Sequence, residues 1–83
     1  MAKPDLDLRD RLRNNAVALK QVNTAIDETV AKREALIRDD GDLTEIRRLG
    51  KRIEDLYSDQ AIYEQKRSLL EAESAKRRRA GAH

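Results

Sequence analysis

Lys76, Arg77, Arg78 and Arg79 form the densest run of like charge in the chain, within the closing stretch AKRRRAGAH. Adjacent cations neutralise phosphates and release counterions, so the first chemistry they suggest is contact with a nucleic-acid backbone. The same cluster has a second meaning. Cations in the last turn of a helix are favourable to its dipole without any partner, and Gly81 then stands as a stop. No aromatic or base-reading polar cluster accompanies the four. Taking them from the formal net charge of +2 leaves −2 on the rest of the chain. The body is therefore not a polyanion surface by net charge, and a nucleic-acid reading rests on the tail alone.

The other chemistry-bearing side chains are carboxylates, and they alternate with Lys and Arg in stretches such as TAIDETVAKREAL and KRIEDLYSDQ. At helical spacing Asp27, Glu28, Lys32 and Glu34 read as surface pairs, not as a general acid and base. The single histidine is His83, the last residue, with no second metal ligand near it. No Gly-rich phosphate loop or nucleophile arrangement is present, and with no cysteine neither a thiolate metal site nor a disulfide framework is available. The expectation is a protein that is not an enzyme, with no catalytic residues, no cofactor, no metal and no small-molecule substrate.

What positions these residues is legible in the composition. Of 83 residues 41% are charged, the aromatics are Tyr57 and Tyr63 alone, and the chain holds one proline and three glycines. That composition suits long helices and leaves too little apolar material for a thick core. No apolar run approaches the ~20 residues of a membrane span, and the N-terminal MAKPDLDLRD lacks the apolar stretch of a secretory signal. A soluble protein of the cytoplasm, or of a virion if phage encoded, is the default expectation.

Helix 1 is expected over residues 5–38, with Pro4 ahead of or within its first turn and Asp5 or Asp7 as N-cap. Leu8, Leu12, Ala16, Leu19, Val22, Ile26, Val30, Leu36 and Ile37 recur at spacings that mark one helical face. The stretch IRDDGDLTEIRRLG then carries the one strong turn signal of the chain's middle. Gly41 suits the left-handed position past a helix end, and Asp42 with Glu45 offers an N-cap and capping box. Residues 39–42 are the expected turn. Helix 2 is expected over residues 43–78, with Leu43, Ile46, Leu49, Ile53, Leu56, Tyr57, Ala61, Tyr63 and Leu70 on its apolar face.

So short a turn forces the helices to lie antiparallel as neighbours, giving an all-α helical hairpin, coiled-coil-like, in a single domain. Residues whose numbers total 82 or 83 should lie level, pairing Leu36 with Ile46, Val30 with Ile53, Ile26 with Leu56 and Tyr57, Leu19 with Tyr63, and Leu12 with Leu70. The same register puts Asn15, Thr29, Arg33, Gln60 and Arg67 on the seam, where polar residues weaken a coiled coil but fix its register. Gly50 falls level with Arg33, leaving room for the arginine stem or for a neighbouring chain.

A two-helix seam is marginal in water, so something further should cover it. Val17, Ile62 and Leu69 do not fit the seam and lie at similar heights, which marks them as a partner interface, for a second copy or for another protein. The bland alternative is ordinary exposed apolar surface. The segment LTEIRRLGKRIEDL resembles part of the second helix of the two-helix protein of the bacterial large ribosomal subunit, over about a dozen residues and in a far less basic chain. The length and midpoint turn are similar to those of the plasmid copy-control RNA-binding hairpin, a likeness of shape that implies no function. The expected function is therefore protein–protein association, as an assembly, adaptor or structural component, of phage or plasmid type. The alternative is a dimeric nucleic-acid-binding hairpin using Lys76, Arg77, Arg78 and Arg79.

Overall fold

The computed structural model describes residues 4–81, with side chains from Asp7 onward. Two helices account for almost all of it: α1, Pro4–Arg38, and α2, Leu43–Ala80. They pack along their length as an antiparallel hairpin of 64 × 19 × 15 Å. The radius of gyration is 18.6 Å, where a compact chain of this length would have about 12 Å. The hairpin is long and only two helices wide.

Pro4 occupies the first position of α1, where its missing N–H costs nothing and its fixed φ suits the helix. Asp5 and Asp7 therefore lie inside the first turn, and neither is the N-cap expected of it. The negative charge of Asp7 still meets the positive end of the dipole, and Asp7 pairs with Arg11 at 3.2 Å. At the other end of the chain the N–H of Gly81 donates to Arg77 O, closing α2 as expected, two residues beyond the expected end.

The turn departs from expectation by one residue. Asp40, not Gly41, takes the left-handed conformation, with φ 55°. The N–H of Gly41 then donates to Leu36 O at 2.7 Å and that of Asp40 to Ile37 O at 3.3 Å, the pair of bonds of a Schellman motif. Aspartate tolerates this region better than most residues because its short polar side chain is accommodated there. Gly41 is required for a different reason. A Cβ at that position would sit 2.9 Å from Leu36 Cδ2 and 3.1 Å from Leu36 O. Asp42 caps α2 as expected, its Oδ1 accepting from Thr44 N at 3.1 Å. Glu45 points instead toward Arg48, 3.7 Å away.

The seam is a heptad stripe on each helix. Leu8, Leu19, Ile26, Leu49, Ile53 and Leu56 are buried, and Leu12, Val22, Val30, Leu36, Ile46, Tyr63 and Leu70 are half-buried beside them. Ala16, Ile37, Leu43, Tyr57 and Ala61, expected on the apolar faces, are exposed. Ile37 and Tyr57 each follow a seam residue by one position, a rotation of about 100° that carries them to the side of the seam.

The polar seam residues are accommodated one by one. Asn15 is 5% exposed and its Nδ2 donates to Tyr63 O at 3.0 Å. Gln60 Nε2 donates across the hairpin to Asn23 Oδ1 at 2.6 Å, a level on which the expected register holds. Thr29 Oγ1 donates back to Ala25 O at 2.6 Å within α1. Arg33 and Arg67 leave the seam for the surface, Arg67 to pair with Glu71 at 2.8 Å. Arg33 does lie beside Gly50, but its Nε is 3.7 Å from where a Cβ would stand, an ordinary contact that does not require a glycine.

Candidate interaction surface

The two flanks of the seam differ chemically. One is lined near the open end by Arg11, Ala18, Asn15, Tyr63, Lys66 and Leu70, which enclose a shallow cleft with cations at its edge. Continuing that flank toward the turn, the heptad brings up Lys32, Glu45, Arg52 and Asp59, so small and charged residues dominate it. The opposite flank contains Asn23 and, toward the turn, half-buried Val30, Ile37, Gly50, Tyr57 and Leu43. Ile37, Tyr57 and Leu43 are each half exposed or more. No charged residue occupies a flanking heptad position in that half.

Val17, Ile62 and Leu69 are also at least half exposed, as an association surface requires of the isolated hairpin. Their placement is less unified than the heights suggested. Val17 lies two residues from each of the inward-facing Asn15 and Leu19, hence about 180° from the seam, and projects directly away from α2. Ile62 and Leu69 share the outer side of α2, seven residues apart and toward the charged flank. The hairpin itself lies between Val17 and the other two, so one flat partner face does not span all three.

The basic cluster lies entirely within the last turns of α2, where Lys76, Arg78 and Arg79 are exposed. Arg77 is half-buried and its Nε lies 3.3 Å from Glu73 Oε1. With Leu8, Arg9, Leu12 and Ser74, Arg77 and Arg78 also line a cleft at the open end. The cluster is thus helical and built into the hairpin. His83 lies outside the described residues. Four of the acidic side chains pair locally, Asp7 with Arg11, Glu45 with Arg48, Glu71 with Arg67 and Glu73 with Arg77, each at least a third exposed. These exposed pairs contribute about 0–1 kcal/mol each. Among the described residues, no three His, Cys, Asp or Glu side chains are grouped to hold a metal ion, and no helix is long and apolar enough to cross a membrane.

Sequence reasoning missed the apolar flank because it assigned Ile37, Leu43 and Tyr57 to the seam. A signal was present. Residues 43, 50 and 57 are spaced by sevens, as are 30 and 37, one position beyond the seam residues of each helix. Comparison of the chain with models of protein families, with curated proteins and with solved structures finds no match to any of them.

Proposed function

We propose that this chain is a non-enzymatic association module, a helical hairpin that acts as an assembly, adaptor or structural component by laying an apolar face against another protein or a second copy of itself. The observation that carries the reading is how little the hairpin covers by itself. A folded monomer of 9.5 kDa exposes about 5,000 Å² by the size scaling of single domains, whereas this chain exposes 6902 Å². The excess, roughly 1,900 Å², is more than the ~800 Å² that one partner contributes to a standard protein interface. None of the core side chains is sealed completely. Association would supply the missing cover.

The experiment is sedimentation of the wild-type chain and of the Ile62→Glu, Leu69→Glu double variant, with thermal melting and recovery of the native partner in parallel. The wild-type chain is expected to sediment as an assembly or to recover a partner, and loss of that assembly in the double variant ahead of any loss of melting point would put the outer side of α2 in the interface. Unchanged mass, melting point and partner would leave Ile62 and Leu69 as ordinary surface. Salt-sensitive binding to DNA or RNA, abolished by Arg77→Gln with Arg78→Gln and Arg79→Gln, would replace the proposal by the nucleic-acid reading.

A further inference from the structure

The apolar flank near the turn has an internal symmetry. On α2, Leu43 and Tyr57 lie seven residues to either side of Gly50. On α1, Ile37 and Val30 lie four and three residues to either side of Arg33, which is beside Gly50. We propose that this flank pairs with the same flank of a second copy, the two hairpins running in opposite directions and crossing at Gly50. The proposal rests on the association reading and names its partner.

A two-fold axis perpendicular to the helices at Gly50 sets Leu43 of each chain on Tyr57 of the other, and Ile37 on Val30. The crossing falls where α2 has no side chain of its own and Arg33 of the same hairpin lies over the backbone. Such an interface is isologous, and its rim must be complementary to itself. Arg47 and Glu54 border the apolar residues on α2, are exposed, and make no ion pair with one another or with another described residue. The same axis brings Arg47 of each chain level with Glu54 of the other, so the attraction occurs twice. The two Glu34 carboxylates come near the axis, and Arg33, whose stem already lies over Gly50, stands between them. The alternative two-fold axis, parallel to the helices, sets Asp27 beside Glu54 of the second copy but Glu34 beside its Arg47, so each attraction there is offset by a repulsion between carboxylates. The antiparallel pairing sets two Arg47–Glu54 attractions against a single Glu34–Glu34 approach, whereas the parallel one balances two attractions with two repulsions, so charge favours the antiparallel pairing.

The chain has no cysteine, so single substitutions report on register without background. A Leu43→Cys chain mixed with a Tyr57→Cys chain and oxidised mildly is expected to give the mixed disulfide dimer ahead of either homodimer. In sedimentation, Arg47→Glu alone and Glu54→Arg alone should each weaken self-association, and the two together should restore it, with helicity by circular dichroism unchanged in all three. Preferential homodimers of Leu43→Cys, or no restoration in the double charge reversal, would overturn the pairing. A chain that is monomeric at every concentration but keeps a different native partner would overturn self-association and leave the association reading standing. A dimer broken by Ile62→Glu with Leu69→Glu, yet indifferent to Arg47 and Glu54, would move the interface to the outer side of α2 and overturn the flank.

Discussion

Asn15 is the most consequential single position in the seam, and replacing it with leucine should stabilise the hairpin. The side chain is 5% exposed, its amide donates to Tyr63 O at 3.0 Å, and its carbonyl oxygen has no hydrogen-bond partner among the described residues. Asn15→Leu gives up one net hydrogen bond, about 0.5–1.5 kcal/mol, but removes an unsatisfied buried acceptor whose desolvation costs about 1–3 kcal/mol. Tyr63 O is not orphaned, because a carbonyl inside α2 also belongs to the helical ladder. The leucine adds apolar burial of about 1.5–3 kcal/mol. Its extra volume has somewhere to go, since the cleft beside Asn15 is floored by Ala18, Tyr63 and Leu70. The net expectation is a gain of about 1–3 kcal/mol, read as a higher urea midpoint by circular dichroism at unchanged slope. In a chain of this size that corresponds to a rise in melting temperature of about 5–20 °C. Asn15→Ala, which removes the amide without filling the space, should fall well below Asn15→Leu. A lower midpoint for Asn15→Leu than for the wild type would refute the reasoning and show that the carbonyl oxygen is satisfied or that the seam has no room.

Three further outcomes follow from the geometry. At the turn, Asp40→Gly should stabilise by up to about 1 kcal/mol by relieving the left-handed conformation, whereas Gly41→Ala should destabilise by roughly 1 kcal/mol because the Leu36 carbonyl cannot retreat from a Cβ; equal signs in denaturant titrations would contradict the assignment of the two residues. In the seam, Leu56→Ala or Ile26→Ala, at sites 4% and 5% exposed, should cost ~2–5 kcal/mol, nearer the lower figure because a structure two helices wide can close over the loss. At the tail, Arg77→Gln with Arg78→Gln and Arg79→Gln should leave both helices formed and cost in total about 1–2 kcal/mol of dipole and ion-pair energy, checked by thermal melting at low and high salt.

The hairpin was legible because its signals are local and agree with one another. A run without Gly or Pro, a turn carrying Asp40, Gly41 and Asp42, and a second such run leave little choice of topology, and both helices end within two residues of expectation. What was not legible turns on single-residue choices. Leu36 with Ile37, and Leu56 with Tyr57, are adjacent apolar pairs, and periodicity along one helix does not say which member faces the other. The opposing helix decides, and here Leu36 and Leu56 turn inward while Ile37 and Tyr57 stay exposed. The exchange of roles between Asp40 and Gly41 has the same origin, since it depends on which carbonyl of the last turn Gly41 reaches. A partner's footprint is harder still, because half of any interface lies in another chain. Val17, Ile62 and Leu69 were identified as apolar residues off the seam, but their heights alone did not reveal that α1 and α2 stand between them.

The polar seam residues and the thin core point to a division of labour. Asn15 on Tyr63 and Gln60 on Asn23 tie the two helices at separate heights, and Arg33 over Gly50 marks a third. Slipping the helices by one turn would break both hydrogen bonds and push the arginine into a side chain, so register is fixed at the expense of apolar packing. A hairpin that needed only to be stable would put leucine at 15, 33 and 60. In this chain the internal contacts specify the shape, and on the association reading proposed above much of the free energy holding it would come from what covers the apolar flank. The consequence is measurable. If the flank pairs with a second copy, the midpoint of unfolding should rise with protein concentration, by the mass-action link between association and folding. In Leu43→Glu with Tyr57→Glu that dependence should vanish, with the chain melting at the wild-type's low-concentration limit. A midpoint independent of concentration in the wild type would mean that no second copy contributes to holding the hairpin.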